Sequence, residues 1–366
     1  MTQTEKQLFF NLCSFISPDK DKIGTLVNKG AASPELLGQL FANRMAGVAY
    51  GVLEKTELLS NVDREFRNSL KGARMLNEKL NEDFFGCLNY LSAQLDACGV
   101  KYALLKGAYL CAKYPVGYRT SNDIDVLVNS KDVGKVSTKL KLAGFKQGYI
   151  RNDKFVEATR QQIIESKMTR GETVPFIKEI KLPYIKYLEV DLNFSLDYKN
   201  GDTTGIEKML ERAQTVTVKN TKVRTLCPED FLLHLCAHLY KEATTVPWIR
   251  MKRDMTFYKY SDIYMLINEM SDEEQNRLIT TAKESGLEKE LAYCLNSINS
   301  FFDMPTGKLM DYIDERHNDD LNCVIAPEEN KLYCYIENDI SKRFFAKNRM
   351  ELLEEVTNER IKNEAP

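Results

Sequence analysis

The chain has 366 residues, 43% hydrophobic and 28% charged, with a formal net charge of −2 at pH 7. Such a length predicts two or three packed units, and such a composition excludes a disordered chain. A charge so near zero excludes a global basic field for nucleic acid or an anionic membrane, so any phosphate-binding surface has to be local.

The N-terminal stretch MTQTEKQLFFNLCSF carries Glu5 and too short an apolar run for a secretory signal, and no stretch approaches the length of a membrane span. The nine cysteines are scattered and none forms a C-x-x-C pair, which speaks for reduced thiols and against a zinc ribbon or disulfide framework. These features predict a cytoplasmic protein. Residues 34–55 repeat apolar side chains at helical spacing behind Ser33-Pro34, a cap followed by proline at the first helical position. A longer amphipathic helix is expected over 63–98, ending before Gly99. Residues 1–99 therefore read as a helical support with no chemistry of its own.

At residue 100 the texture changes. VKYALL reads as a strand broken by Gly107, AYLCAKY as a short helix, PVGYRTSN as a loop and DIDVLV as a second strand. SKDVGKVSTKLKLAGF then reads as a helix ending at Gly144, residues 151–186 as one or two irregular strands, and YLEVDLNFSL (187–196) as an alternating strand. From CPEDFLLHLCAHLYKEA (227–243) helices resume, through SDIYMLINEM, 272–286 and LEKELAYCLNSINSFF, and the charged C-terminal stretch from Lys342 reads as a solvated helix with a frayed tail. The expected fold is α+β: a small mixed-sheet core (100–225) between helical regions at 1–99 and 226–366.

Alternate side chains of a strand share a face, so Asp123 and Asp125 point together while Ile124, Val126 and Val128 point into the core. Two carboxylates so placed raise each other's pKa unless a cation sits between them, and Mg²⁺ or Mn²⁺ suits an all-oxygen site. The spacing alone is weak, since Asp19-Lys20-Asp21 repeats it in a polar turn. Asp191 strengthens it: Glu189, Asp191 and Asn193 share the polar face of their strand, and pairing beside the first strand would bring Asp191 to the pair. Lys106 before Gly107 offers a point charge for phosphate at a glycine turn opening a helix, and Arg119 is a second cation in the loop before Asp123.

His234 and His238, at i and i+4, lack the glutamate of an H-E-x-x-H arrangement and read as hydrogen-bonded histidines of a buried helix. The stretch 246–262 clusters Arg250, Lys252, Arg253 and Lys259 with Trp248, Phe257 and Tyr258, and reads as a basic loop entering a helix or a surface for triphosphate or base.

LLKGAYL, YRTSNDIDVLV and EVDLNFSL in this order resemble the DNA polymerase β-like nucleotidyltransferase superfamily, and its bacterial Leu-Lys-Gly, Arg, Asp-Ile-Asp branch in particular. The resemblance covers about 100–196 and extends more loosely over 227–267. It implies a polymerase-β-like core, with Asp123, Asp125 and Asp191 as catalytic, metal-binding carboxylates. It also implies a nucleotide site built from Lys106, Gly107, Ala108, Arg119 and Ser121, with His238 and Lys241 from the following helix near the base or ribose, and Asp262, which matches an aspartate of the family's helical segment, as a further acid/base or substrate-binding candidate. The implied reaction moves a nucleoside monophosphate from an NTP, ATP being the expected donor, to an acceptor and releases pyrophosphate, with Asp191 taking the nucleophile's proton. Ala108 replaces the superfamily's usual serine, and Asn193 and Phe194 replace the branch's histidine and tryptophan. The acceptor is expected to be a small molecule or a peptide or protein, with no membrane partner. The alternatives are an RNA or tRNA nucleotidyltransferase toxin and a catalytically silent relative binding a nucleotide or a protein.

Overall fold

A computed structural model describes residues 1–169, 171–196, 203–218, 221–302, 304, 307–314 and 322–356. The N-terminal region is five helices, α1 (Gln3–Cys13), α2 (Lys20–Asn28), α3 (Pro34–Ala42), α4 (Ala46–Lys55) and α5 (Arg64–Asp96). Their starts are written locally: Thr2 and Glu5 form a capping box, Asp19 caps α2, and Ser33 caps α3 ahead of Pro34. Asp19 of the second D-x-D triplet thus caps a helix. The continuous helix expected over 34–55 is two helices, broken at Arg44, whose φ is 58°.

The central part runs β1 (Tyr102–Leu104), α6 (Gly107–Lys113), β2 (Asp123–Val128), α7 (Val133–Leu142), β3 (Lys146–Arg151), β4 (Lys154–Glu157), α8 (Arg160–Thr169), β5 (Phe176–Glu179), β6 (Tyr187–Asn193), α9 (Thr203–Arg212), β7 (Gln214–Val218) and β8 (Thr221–Thr225). The strands form one mixed sheet in the order β4-β3-β5-β6-β2-β1-β8-β7. Within it β2 pairs parallel to β6 and antiparallel to β1. Helix α8, where only irregular strand was expected, has a mostly exposed and weakly patterned surface, so its sequence carries little helical periodicity.

The chain continues through α10 (Pro228–Ala243), α11 (Val246–Arg250), α12 (Phe257–Glu269), α13 (Asp272–Ser285), α14 (Glu288–Phe301) and α15 (Lys308–Asp314). Then β9 (Cys323–Ala326), β10 (Lys331–Tyr335) and β11 (Leu353–Glu355) make a small sheet in the order β11-β10-β9, with α16 (Ile340–Phe344) before its last strand. The solvated helix expected from Lys342 is therefore corrected: its first part is the end of α16 and an edge strand, because Leu353 pairs with Tyr335 and finds apolar cover there. Residues 357–366 of that expectation lie outside the described residues.

Two apolar cores hold the sheet. Ile124, Val126, Val128, Leu188, Val190 and Leu192 pack on one face against Leu88, Leu91 and Leu95 of α5 and Val136 and Leu140 of α7. A second core joins Leu8, Leu12 and Leu40 to Leu232, Cys236, Tyr260 and Leu295, so the first and last helical regions bury each other. Leu127, on the same face as Asp123 and Asp125, belongs to this second core. That face is thus roofed by helices at one end of β2 and carries carboxylates at the other. Among the described residues no helix is long and apolar enough to cross a membrane.

Candidate active site

The parallel register of β2 and β6 sets Asp123 opposite Glu189 and Asp125 opposite Asp191. Four carboxylates therefore share one sheet face, and all four line a single cleft of about 560 Å³. Crowding and burial weaken three of these acids. Asp191 is raised well above its ordinary value by burial, then by Asp125 and Asp123, and Asp123 is raised by burial and by Asp125. Glu189 is also raised, by burial and the same two aspartates.

Lys106 supplies the nearest countercharge. Its Nζ lies 2.8 Å from Asp125 Oδ1, and the Asn193 amide donates to the same oxygen at 3.2 Å. Burial opposes the Lys106 charge, but Asp125, Asp123 and Asp191 outweigh it and hold the ammonium above its usual range. Ser121 Oγ donates to Asp123 Oδ1 at 3.0 Å. Gly107 is required by this packing, since a Cβ there would sit 2.1 Å from Ser121 Oγ. The phosphate turn is built differently from the expectation. Ala108 is fully buried, its amide donates to the Leu105 carbonyl, and the Tyr109 amide donates to that of Lys106. The first turn of α6 thus directs these amides inward, and Ala108 does not line the cleft.

The opposite wall comes from α10 to α12, with His238, Lys241, Lys252 and Arg253 lining it, and from Arg44 between α3 and α4. Arg44, Lys106 and Lys252 all have positive φ, at 58°, 42° and 57°. Such backbone costs on the order of 1 kcal/mol or more per non-glycine residue and concentrates at functional sites. Arg119 is placed otherwise than as an open phosphate hand. Its guanidinium is tied to both oxygens of Asp262 at 3.2–3.3 Å, lies 4.3 Å over the Tyr258 ring and donates to the Thr120 carbonyl. It reaches the cleft as a clamp on the loop that carries Ser121. Asp262, buried in this pair, is thereby a partner of Arg119 and not an open acid/base group.

The two histidines also part company. His238 Nε2 lies 3.3 Å from Glu242 Oε1, whereas both ring nitrogens of His234 are buried with no hydrogen-bond partner among the described residues. The expected hydrogen-bonded core histidine is therefore not found at His234. Arg44, Glu172 and Glu242 line the cleft without having been singled out in the sequence. Arg44 lies far from β2 along the chain, and nothing local marks it.

The clustered oxygen donors of Asp123, Asp125 and Asp191 have the chemistry of a hard divalent-cation site. Among the described residues no three His, Cys, Asp or Glu side chains converge as a closed metal cluster, and the Lys106 ammonium holds Asp125 instead.

No curated protein matches the chain. Among solved structures it is similar to an antigenic nucleotidyltransferase-like protein from Paracoccidioides brasiliensis, at 15% identity and a TM-score of 0.32, over 56% of this chain and 88% of that one. The model of a family described as uncharacterised nucleotidyltransferases matches residues 30–303, more than half the chain and both walls of the cleft, so the chain belongs to that family.

Proposed function

We propose that the protein is a divalent-metal-dependent nucleotidyltransferase that moves a nucleoside monophosphate from an NTP to a small-molecule or peptide acceptor and releases pyrophosphate. The observation that carries this reading is the register placing Asp125 beside Asp191 on a face shared with Asp123, in a cleft whose far wall is cationic. Asp123, Asp125 and Asp191 would hold Mg²⁺ or Mn²⁺, which when bound neutralises phosphate charge and acidifies an attacking hydroxyl. Lys106 meets the phosphates from the sheet side, and Arg44, Lys252 and Arg253 meet them from the other. Asp191, whose carboxyl burial and its neighbours raise well above the ordinary range, takes the proton of the attacking group. A cleft of mixed charge in a chain of net charge −2 favours a small or peptidic acceptor over a long nucleic acid. A cytoplasmic location follows from the same reading.

One observation favours the silent-relative alternative: Lys106 already pairs with Asp125, where a cation would share the carboxylate. The test is thermal unfolding with each of the four NTPs, with and without Mg²⁺, beside Asp123→Asn/Asp125→Asn. At a hundredfold excess over Kd a ligand stabilises the fold by about 2.7 kcal/mol. A Mg²⁺-dependent shift lost in the double variant supports the enzyme. A shift indifferent to Mg²⁺ and to the substitutions supports the silent relative.

A further inference from the structure

The cysteines differ in their surroundings. Cys13, Cys87, Cys98, Cys111, Cys236 and Cys294 are buried, and Cys227 donates to Asp230. Cys323 and Cys334 stand directly opposite each other on β9 and β10, at the open end of a hairpin, and their Sγ atoms lie 3.0 Å apart. Paired residues of an antiparallel ladder share a face. Val324, Ala326, Tyr333 and Tyr335 turn to the small apolar core, so the two cysteines take the other face, together with Ile325, which is 51% exposed. Both thiols are only half-buried, within reach of a small solute. Cα atoms paired across such a ladder are about 4.5–5.5 Å apart, inside the range a disulfide spans, and the sulfurs have about 1 Å left to close.

This hairpin is the seat of the cleft's far wall. The Ile325 amide donates to the Thr244 carbonyl at 2.8 Å, just past α10, and Val246 and Ile249 of α11 pack with Val324 and Ala326. Arg250 pairs with Glu329 of the hairpin turn at 2.8 Å. The segment so held carries Trp248, Lys252 and Arg253, which line the cleft. Unseating α11 therefore goes with peeling β9 from β10, and a covalent bond at the open end of the hairpin opposes that peeling.

We propose that Cys323 and Cys334 are a redox modification site: a hydroperoxide closes them into a disulfide that holds α11 and its cleft residues in place, and a dithiol reopens it. One thiol, as its thiolate, attacks the peroxide. The O–O bond breaks, a sulfenic acid forms, and the departing oxygen takes the thiol's proton and leaves as water or an alcohol. The second thiol displaces water from that sulfur to make the S–S bond, so two electrons pass from sulfur to the peroxide. A single reversible pair fits a reducing compartment, where disulfides that form are transient.

The experiment treats the full-length protein with hydrogen peroxide and maps its unreduced peptides. A Cys323–Cys334 cross-link is expected, with two thiols lost and both regained in dithiothreitol. Hydrogen exchange over 244–253 and 323–335 should slow roughly tenfold on oxidation. Cys323→Ser and Cys334→Ser, made separately so that misfolding of one leaves the other, should keep the reduced protein's exchange rates with or without peroxide. No cross-link, a different pairing, or oxidation that dithiothreitol does not reverse overturns the proposal. A cross-link that leaves exchange over 244–253 unchanged overturns the hold on the cleft wall. Slowed exchange that persists in a folded serine variant overturns the assignment of the pair.

Discussion

Asp262→Leu isolates the buried pair that clamps the loop before Asp123. Arg119 and Asp262 keep only 8% and 4% of their side-chain surface, so solvent screens neither charge. Burial pushes the Asp262 carboxyl up despite the pull of Arg119, so desolvation of that carboxyl outweighs its attraction to the guanidinium. Leucine fills the space but leaves the guanidinium buried without its acceptors at 3.2–3.3 Å. Removing one partner of such a pair costs about 3–5 kcal/mol, whereas replacing both by apolar residues is close to neutral. Equilibrium urea unfolding should therefore place Asp262→Leu about 3–5 kcal/mol below wild type, and Arg119→Met/Asp262→Leu well above that single variant. The double variant should still bind NTP more weakly, because the Arg119 contact to the Thr120 carbonyl that orders the Ser121 loop is gone. A single variant within about 1 kcal/mol of wild type, or a double variant no more stable than the single, would refute the assignment of Arg119 as a buried clamp.

Asp191→Asn should raise the melting point of the unliganded protein at neutral pH while abolishing Mg²⁺-dependent NTP binding. The native carboxyl is raised above its ordinary 3.8, so the native state holds that proton more tightly than the unfolded chain, and stability falls as pH rises from about 3.8 toward the raised value. The advantage of the variant should accordingly shrink to nothing as pH is lowered toward 3.8, which melting curves across pH would read directly. Gly107→Ala should lose about 1–3 kcal/mol, since its Cβ would meet Ser121 Oγ at 2.1 Å and Cβ at 2.3 Å. Ser121→Gly in the same chain should restore most of that stability in urea unfolding, but not nucleotide binding.

Much of the central sheet face was legible because strand periodicity is local. In DIDVLV and YLEVDLNF the alternation alone separates Asp123, Asp125 and Asp191 from the apolar positions, and the short-range cues at Ser33-Pro34, Gly99 and Pro228 sit at helix ends. Helix α8 and the sheet β9–β11 were not legible, the former for want of an apolar stripe, the latter because its strands gain cover from partners distant in sequence.

What the sequence by itself determined is which residues share a strand face and which helices must bury a side, since both follow from backbone geometry over a few residues. What only the tertiary structure decided is partnership. It closed Arg119 onto Asp262 and put Lys106 on Asp125, and it brought Arg44 to the cleft while leaving the ring nitrogens of His234 without a hydrogen-bond partner among the described residues. The fate of a polar side chain depends on the atoms within about 3 Å of it, and in this fold those atoms come from β2, β6, α10 and α12, separated in sequence by long stretches of chain.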